Sequence, residues 1–419
     1  MTIQVTTLPS GLRVVTDSVS GVESVAVGVW AGVGTRHENM AQNGIAHMVE
    51  HMLFKGTPAR SALQIAEVIE DVGGNMNAYT GREMTGYYVH LLREHLDLGL
   101  DVLADILQNS TMPDDEVERE RGVILQEIKM YADNPDRQVF DNFQEAAYPK
   151  QALGAPGLGT SEIISGMGRS ALMEYVQSRY MTGNLVVAAS GAIDHAELVA
   201  KVETLFAKLP QGVDGRYTPA NYNPSASIIE KDTEQSHIVL GFQGVKRSDE
   251  RYAAFRLLSS LLGGGMSSRL FQQVREKRGL VYSIYSFYDT FHDDGLFGIY
   301  AGTGPEHLKE LMPVVLDELK GVMDKVTPEE LARAKAQIKA GVLMSRESTL
   351  TRADQQARHV INFGRPFDVA RLVASIDEVT SADVVSLAQT IFQTAPTLAL
   401  IGPTDGMMDP AQISKRLSA

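Results

Sequence analysis

Gly44-Ile-Ala-His-Met-Val-Glu-His-Met-Leu-Phe-Lys-Gly56 sets two histidines, His47 and His51, four residues apart with Glu50 between them. Residues four apart on a helix share a face, so both imidazoles point the same way and Glu50 projects beside them, free to act on whatever they hold. Two neutral imidazoles near a carboxylate suit Zn²⁺, which prefers nitrogen ligands in tetrahedral geometry. Five residues of this kind also occur on ordinary amphipathic helices, so a third ligand has to decide between a metal site and a polar helix face.

Downstream, Met112-Pro113-Asp114-Asp115-Glu116 marks a helix start, with Pro in the first turn and carboxylates at the positive end of the dipole. Along that helix Glu120 and Glu127 are seven residues apart, two turns on one face. Glu127 lies 76 positions beyond His51, so any meeting between them is tertiary. The inverted order His47-x-x-Glu50-His51, followed at this distance by Glu127 with Glu120 one heptad earlier, resembles the pitrilysin/insulysin family of zinc peptidases. The resemblance implies that His47, His51 and Glu127 hold one Zn²⁺ per chain. It also implies that Glu50 is the general base and that Glu120 orients a ligand from behind.

Bulk properties bound the rest. A chain of 419 residues with 44% apolar side chains buries a large core, and two domains are the natural expectation. A net charge of -14 argues against nucleic acid or an anionic membrane as partner. With no Cys there are no disulfides or thiolate sites, so a metal must be held by His and carboxylate. The opening residues carry neither a signal-peptide nor a transit-peptide pattern, and no run reaches the length of a membrane span. The expected location is cytoplasmic.

Around the motif the pattern is α+β. Residues 3–8 and 12–17 alternate about Ser10-Gly11 as a hairpin, and Ser24 to Gly32 forms a third strand. A helix over 61–71 ends at Gly73-Gly74, and the strands 75–81 and 85–92 pair. Helices follow at 94–109, 113–131 and 136–147. Next come a Gly-rich connector from Gly154 to Gly168, a helix over 169–179, a strand over 184–191 and a helix over 195–208. Leu209 to Pro224 is rich in Pro, Gly and Asn, which places a linker at 213–226 between a metal domain (1–212) and a second domain (227–419).

The second domain repeats the first. Arg93-Glu-His-Leu through Met112-Pro-Asp-Asp-Glu lines up with Pro305-Glu-His-Leu through Thr327-Pro-Glu-Glu, an offset of 212 to 215 residues. Two homologous halves are expected, each a mostly antiparallel sheet packed with helices. At that offset His51 falls on Gly263, Glu120 on Lys335 and Glu127 on Val342, so the metal set is confined to one copy. The triple Gly at 263–265 lacks the following Gly-Lys-Ser/Thr of a phosphate cradle. His90 and His95 fall in strand and helix patterns as structural residues.

The resemblance covers essentially the whole chain and is closest to half-length members, the mitochondrial processing peptidase and its bacterial relatives. It implies that Arg275 and Tyr282 hold substrate and donate a hydrogen bond to the reacting carbonyl. It further implies that Asn77 and Ala78, on the strand from Asn75, pair with an extended peptide through its backbone. A two-domain chain would then dimerise into a clamshell chamber, a homodimer whose sites are completed in trans. Arg137 and Asp141 stand where the mitochondrial enzyme's catalytic subunit places two acidic residues, which points to a broader oligopeptidase or processing protease. Two alternatives stay open: a non-catalytic assembly subunit of the same fold, and a catalytic chain that needs a distinct zinc-free partner.

Overall fold

The hairpin about Ser10-Gly11 forms in the computed structural model, which describes residues 2–418: β1 (Thr2–Thr7) and β2 (Arg13–Ser18) pair antiparallel. Gly11 takes φ 89° in the turn, a left-handed conformation that favours glycine. With β3 (Ser24–Ala31), β4 (Asn75–Thr80), β5 (Thr85–Leu92) and β6 (Leu185–Gly191) they form one sheet, ordered β1-β2-β6-β3-β5-β4. Only β2 and β6 run parallel, so the sheet is mostly antiparallel. β3 and β6 lie in its middle and are buried along nearly their whole length, as apolar runs covered on both faces should be. β4 is at the edge, and among the described residues it pairs with no strand but β5.

One face of this sheet packs on helices Ile45–Met52 and Leu96–Asn109 around Val27, Val29, Met48, Val49, Leu100 and Leu103. The other face, with Val15, Ala26, Trp30, Val186 and Ala188, is covered by a helix from far along the chain, Thr349–Phe363, through Ala353, Ala357 and Val360. Polar ties fix that helix. Asp17, fully buried, accepts from Arg346 at 2.9 Å and from Arg352 at 2.5 Å, and Trp30 Nε1 and the Tyr79 hydroxyl donate to Asp354.

A second unit carries β7 (Ala226–Glu230), β8 (Ser236–Gln243), β9 (Ser283–Thr290), β10 (Gly295–Thr303) and β11 (Thr397–Gly402), ordered β7-β11-β8-β10-β9. β7 runs parallel to β11 and every other pair is antiparallel. Helices Tyr252–Gly263, Leu308–Asp324 and Ser381–Phe392 pack on one face. On the other lies Pro135–Ala147, whose Phe140 and Phe143 meet Phe287, with Phe140 also stacked on Tyr300.

The compact units are therefore not the continuous stretches 1–212 and 227–419. One draws on residues up to 129, 155–218 and 344–367, and the other on 130–154, 219–343 and 368–419. The helices 135–147 and 349–363 each bury their apolar faces on the sheet of the other sequence half, where an open face needs them. The Gly154–Gly168 stretch is ordered as well: it contains the helix Ser161–Gly166, and Ala155 and Ile164 are buried. That departs from the flexible connector expected there. Among the described residues no helix is long and apolar enough to cross a membrane.

Candidate metal centre

The helix Ile45–Met52 buries Ile45, Ala46, Met48, Val49 and Met52 in the core, which leaves His47, Glu50 and His51 on its remaining face. The rings of His47 and His51 stand 4.6 Å apart between centroids, inclined at 62°. On the helix Asp114–Ala132, Ile124 and Val117 are the buried anchors, and Glu127 is turned toward the histidines. Its Oε2 lies 3.9 Å from His47 Nε2. One ligand atom from each of His47, His51 and Glu127 falls within 4.8 Å of the others, the only such set of three among the described residues. Three donors at that spacing leave room for a small divalent ion bonded to each at about 2.0–2.2 Å.

Electrostatics suit such an ion. Burial, with His51 adding to it, pushes the His47 imidazole down to about 4, so it is neutral at ordinary pH with a lone pair available. The other ring is held from behind: His51 Nδ1 lies 2.9 Å from Glu120 Oε2, whose second oxygen accepts from Lys55 Nζ at 2.7 Å. A carboxylate there accepts a hydrogen bond from Nδ1–H and so orients the ring with Nε2 as its ligating nitrogen. Burial works to raise the Glu120 carboxyl, but Lys55 and His51 outweigh it and hold the group below the usual carboxylate range. His47 Nδ1, by contrast, is buried without a hydrogen-bond partner.

Glu50 completes the centre. Burial raises its carboxyl, the Glu127 charge adds to that, and His51 opposes it. A carboxylate poised upward is suited to taking a proton from a water and giving it back. Beside the motif helix runs the edge strand β4. Asn77 is exposed and Ala78 half-buried, and the Asn77 Oδ1 accepts from the Ala78 N–H at 2.8 Å.

The structure thus brings together His47, Glu50, His51, Glu120 and Glu127 in one unit. Arg275 and Tyr282 belong to the other. Arg275 is exposed and lies over the Phe271 ring at 4.7 Å, and Tyr282 is 76% exposed, with only its backbone N–H tied, to Gly302. Two residues near the centre escaped the sequence analysis. Lys55 lies within the opening motif, and only its ion pair with Glu120 reveals its part. Glu38 is a buried carboxylate upstream of the helix, and its partners are mostly backbone amides, which leave no mark in a sequence.

Residues 13–161 match the model of the insulinase family (peptidase family M16), and residues 167–338 match that of the M16 inactive domain. A Rickettsia felis protein named an uncharacterized zinc protease is 39% identical over 399 residues, which is 95% of this chain and 97% of that protein. A Bacillus subtilis protein of the same description is 37% identical, covering 96% of this chain and 98% of the relative. Among solved structures, a protease from Helicobacter pylori superposes with a TM-score of 0.88 at 23% identity, over 96% of this chain and 99% of that one. A Pseudomonas fluorescens structure of a peptidase M16 inactive domain gives 0.89 at 22%, over 97% and 99%. At such identities the likeness speaks for the fold alone.

Proposed function

Since this chain belongs to the insulinase (M16) family of peptidases, we propose that it is a zinc metalloendopeptidase that hydrolyses unfolded peptides, with His47, His51 and Glu127 as ligands and Glu50 as general base. The observation that carries the proposal is the convergence of two imidazoles and a remote carboxylate, with Glu50 on the same helical face.

Zinc bound there would supply Lewis acidity to a water and to the peptide carbonyl. Glu50 is placed to take a proton from an attacking water and to deliver it to the departing nitrogen, so that the C–N bond breaks to release a neutral amine and not an amide anion. Glu120 and Lys55 keep the His51 ring from turning during these steps. The outer flank of β4 accepts the substrate as an added strand, and Asn77 and Ala78 supply its contacts nearest the centre. Backbone pairing needs an extended chain, so compact folded domains are poor substrates.

Arg275 and Tyr282 would hold the substrate and donate to the developing oxyanion, a contact typically worth about 100- to 1,000-fold in rate. Their exposure fits residues that act when a peptide, or a second chain, covers them. A homodimer that forms a closed chamber, with each site completed by the other subunit, is the arrangement we favour.

The test is direct. The purified chain should hold one zinc and cleave an internally quenched peptide, and Glu50→Gln should keep the zinc and lose cleavage. Zinc-loaded chain that cuts no unfolded peptide would leave the scaffold alternative, while recovery of cutting only with an added zinc-free chain would assign it to a heterodimer. Mixing Glu50→Gln with Tyr282→Phe chains should restore part of the activity, and no restoration would exclude completion in trans.

A further inference from the structure

The His47 helix has eight residues and begins without a capping side chain, because its N-cap is Gly44 at φ 92°. A two-turn helix gains little from its own hydrogen bonds, so its direction must be set from outside. Glu38 does this. It is 8% exposed, its Oε2 accepts from the Gly44 N–H and from Asn43 Nδ2, and its Oε1 accepts from the Ala46 N–H, each at 2.9 Å. Ala46 immediately precedes His47.

The Gly-rich stretch closes the same end from the other side. Asn43 Nδ2 also donates to the Pro156 carbonyl at 3.0 Å. The backbones of Gly44 and Gly159 touch: a Cβ on Gly44 would lie 2.6 Å from the Leu158 carbonyl oxygen, and one on Gly159 would lie 2.4 Å from that of Asn43. Gly159 itself takes φ 78°. Helix N-terminus, buried carboxylate and the loop through Leu158 and Gly159 thus form one clamp, in which two stretches of backbone approach closer than any side chain would allow.

We propose that Glu38, seconded by Asn43 and the loop 155–159, is a positioning residue for the metal centre: it holds the His47 helix at the angle at which His47 and His51 meet Glu127. Its partners are two amides of the helix itself and one side chain that ties the loop, whereas Glu127 rides on a separate helix. A small tilt at Gly44 would therefore move both imidazoles relative to the third ligand. Burial pushes the Glu38 carboxyl up to about 7, and these donors and Arg82 oppose that rise. Glutamine could accept through one oxygen only, and its amide would confront a helix N–H.

The proposal rests on His47 and His51 being zinc ligands, and wild-type zinc binding tests that first. Glu38→Gln in the full chain is then expected to melt cooperatively without metal, near the wild-type temperature. Its zinc affinity, measured by competition with a chromogenic chelator, should fall about 10- to 100-fold. The visible spectrum of the cobalt-substituted variant should change, and kcat should fall with KM little altered. Where Glu38→Gln gives no cooperative melt, Asn43→Ala carries the test, with a several-fold loss of zinc affinity and the same spectral change expected. Wild-type affinity and an unchanged cobalt spectrum in a folded variant would overturn the proposal, even if the wild type cleaves nothing.

Discussion

The two units of this chain share a plan and differ at the point where the chemistry would be. The order β2-β6-β3-β5-β4 in one is the order β7-β11-β8-β10-β9 in the other, with the single parallel pair in the same place. Where the first has His51 the second has Gly263, and a Cβ there would lie 2.2 Å from the Ser286 amide nitrogen of β9. Helix and edge strand have closed upon each other, and Ser286 fastens the contact by donating to the Ser259 carbonyl. The position that matches His51 is thus taken up by close packing in the second unit.

The largest expected effect breaks the comparison at the third ligand. Glu127→Ala should reduce zinc affinity by more than the roughly 100-fold typical of losing an outer partner. Val342→Ala, at the matching position, should leave zinc titration unchanged and cost about 1 kcal/mol in denaturant unfolding. Equal zinc affinity in Glu127→Ala would remove this carboxylate from the centre.

A second contrast lies in how each covering helix is attached. Asp17 anchors Thr349–Phe363 through Arg352, buried within the helix, and Arg346 just before it, so Asp17→Ala leaves both guanidiniums without that partner and should cost about 3–5 kcal/mol in urea unfolding. Pro135–Ala147 is held by aromatic packing instead, and Phe143→Leu, which nearly conserves volume, should cost less than about 1.5 kcal/mol. A smaller loss for Asp17→Ala than for Phe143→Leu would reverse the ranking.

The smallest effect concerns acid. Arg269 pulls the Glu330 carboxyl down to about 2, with burial opposing and the Thr327 N–H assisting. A carboxyl lowered on folding contributes stability above its unfolded value of about 4.3, and the contribution is lost as pH falls from there toward 2. The pair is partly exposed, so Arg269→Gln should lower stability by about 1 kcal/mol at pH 7. The gap between the two melting temperatures should narrow between pH 5 and 3, and a constant gap would count against the pairing.

What was legible in the sequence was whatever leaves a period or a spacing. The strands and most helices lay near their expected places, and His47, Glu50 and His51 could be set on one face from their numbering alone. Glu127 and Glu120 could be attached to them only through the resemblance, because a tertiary meeting 76 residues away has no local sign. The exchange of covering helices was hidden for a related reason: 135–147 and 349–363 each show an apolar face, and such a face does not say which sheet it will meet. Gly159 looked like slack, though its lack of a side chain is what admits the Asn43 backbone.

That exchange also orders events during synthesis. The six strands of the first sheet are complete once residue 191 has been joined, yet the helix that covers Trp30, Val186 and Ala188 begins at Thr349. At about 5–20 residues per second the ribosome needs roughly 8–30 s to supply it. For that interval the emerging polypeptide presents a bare apolar surface, and a chaperone that shelters nascent chains would find its natural client there.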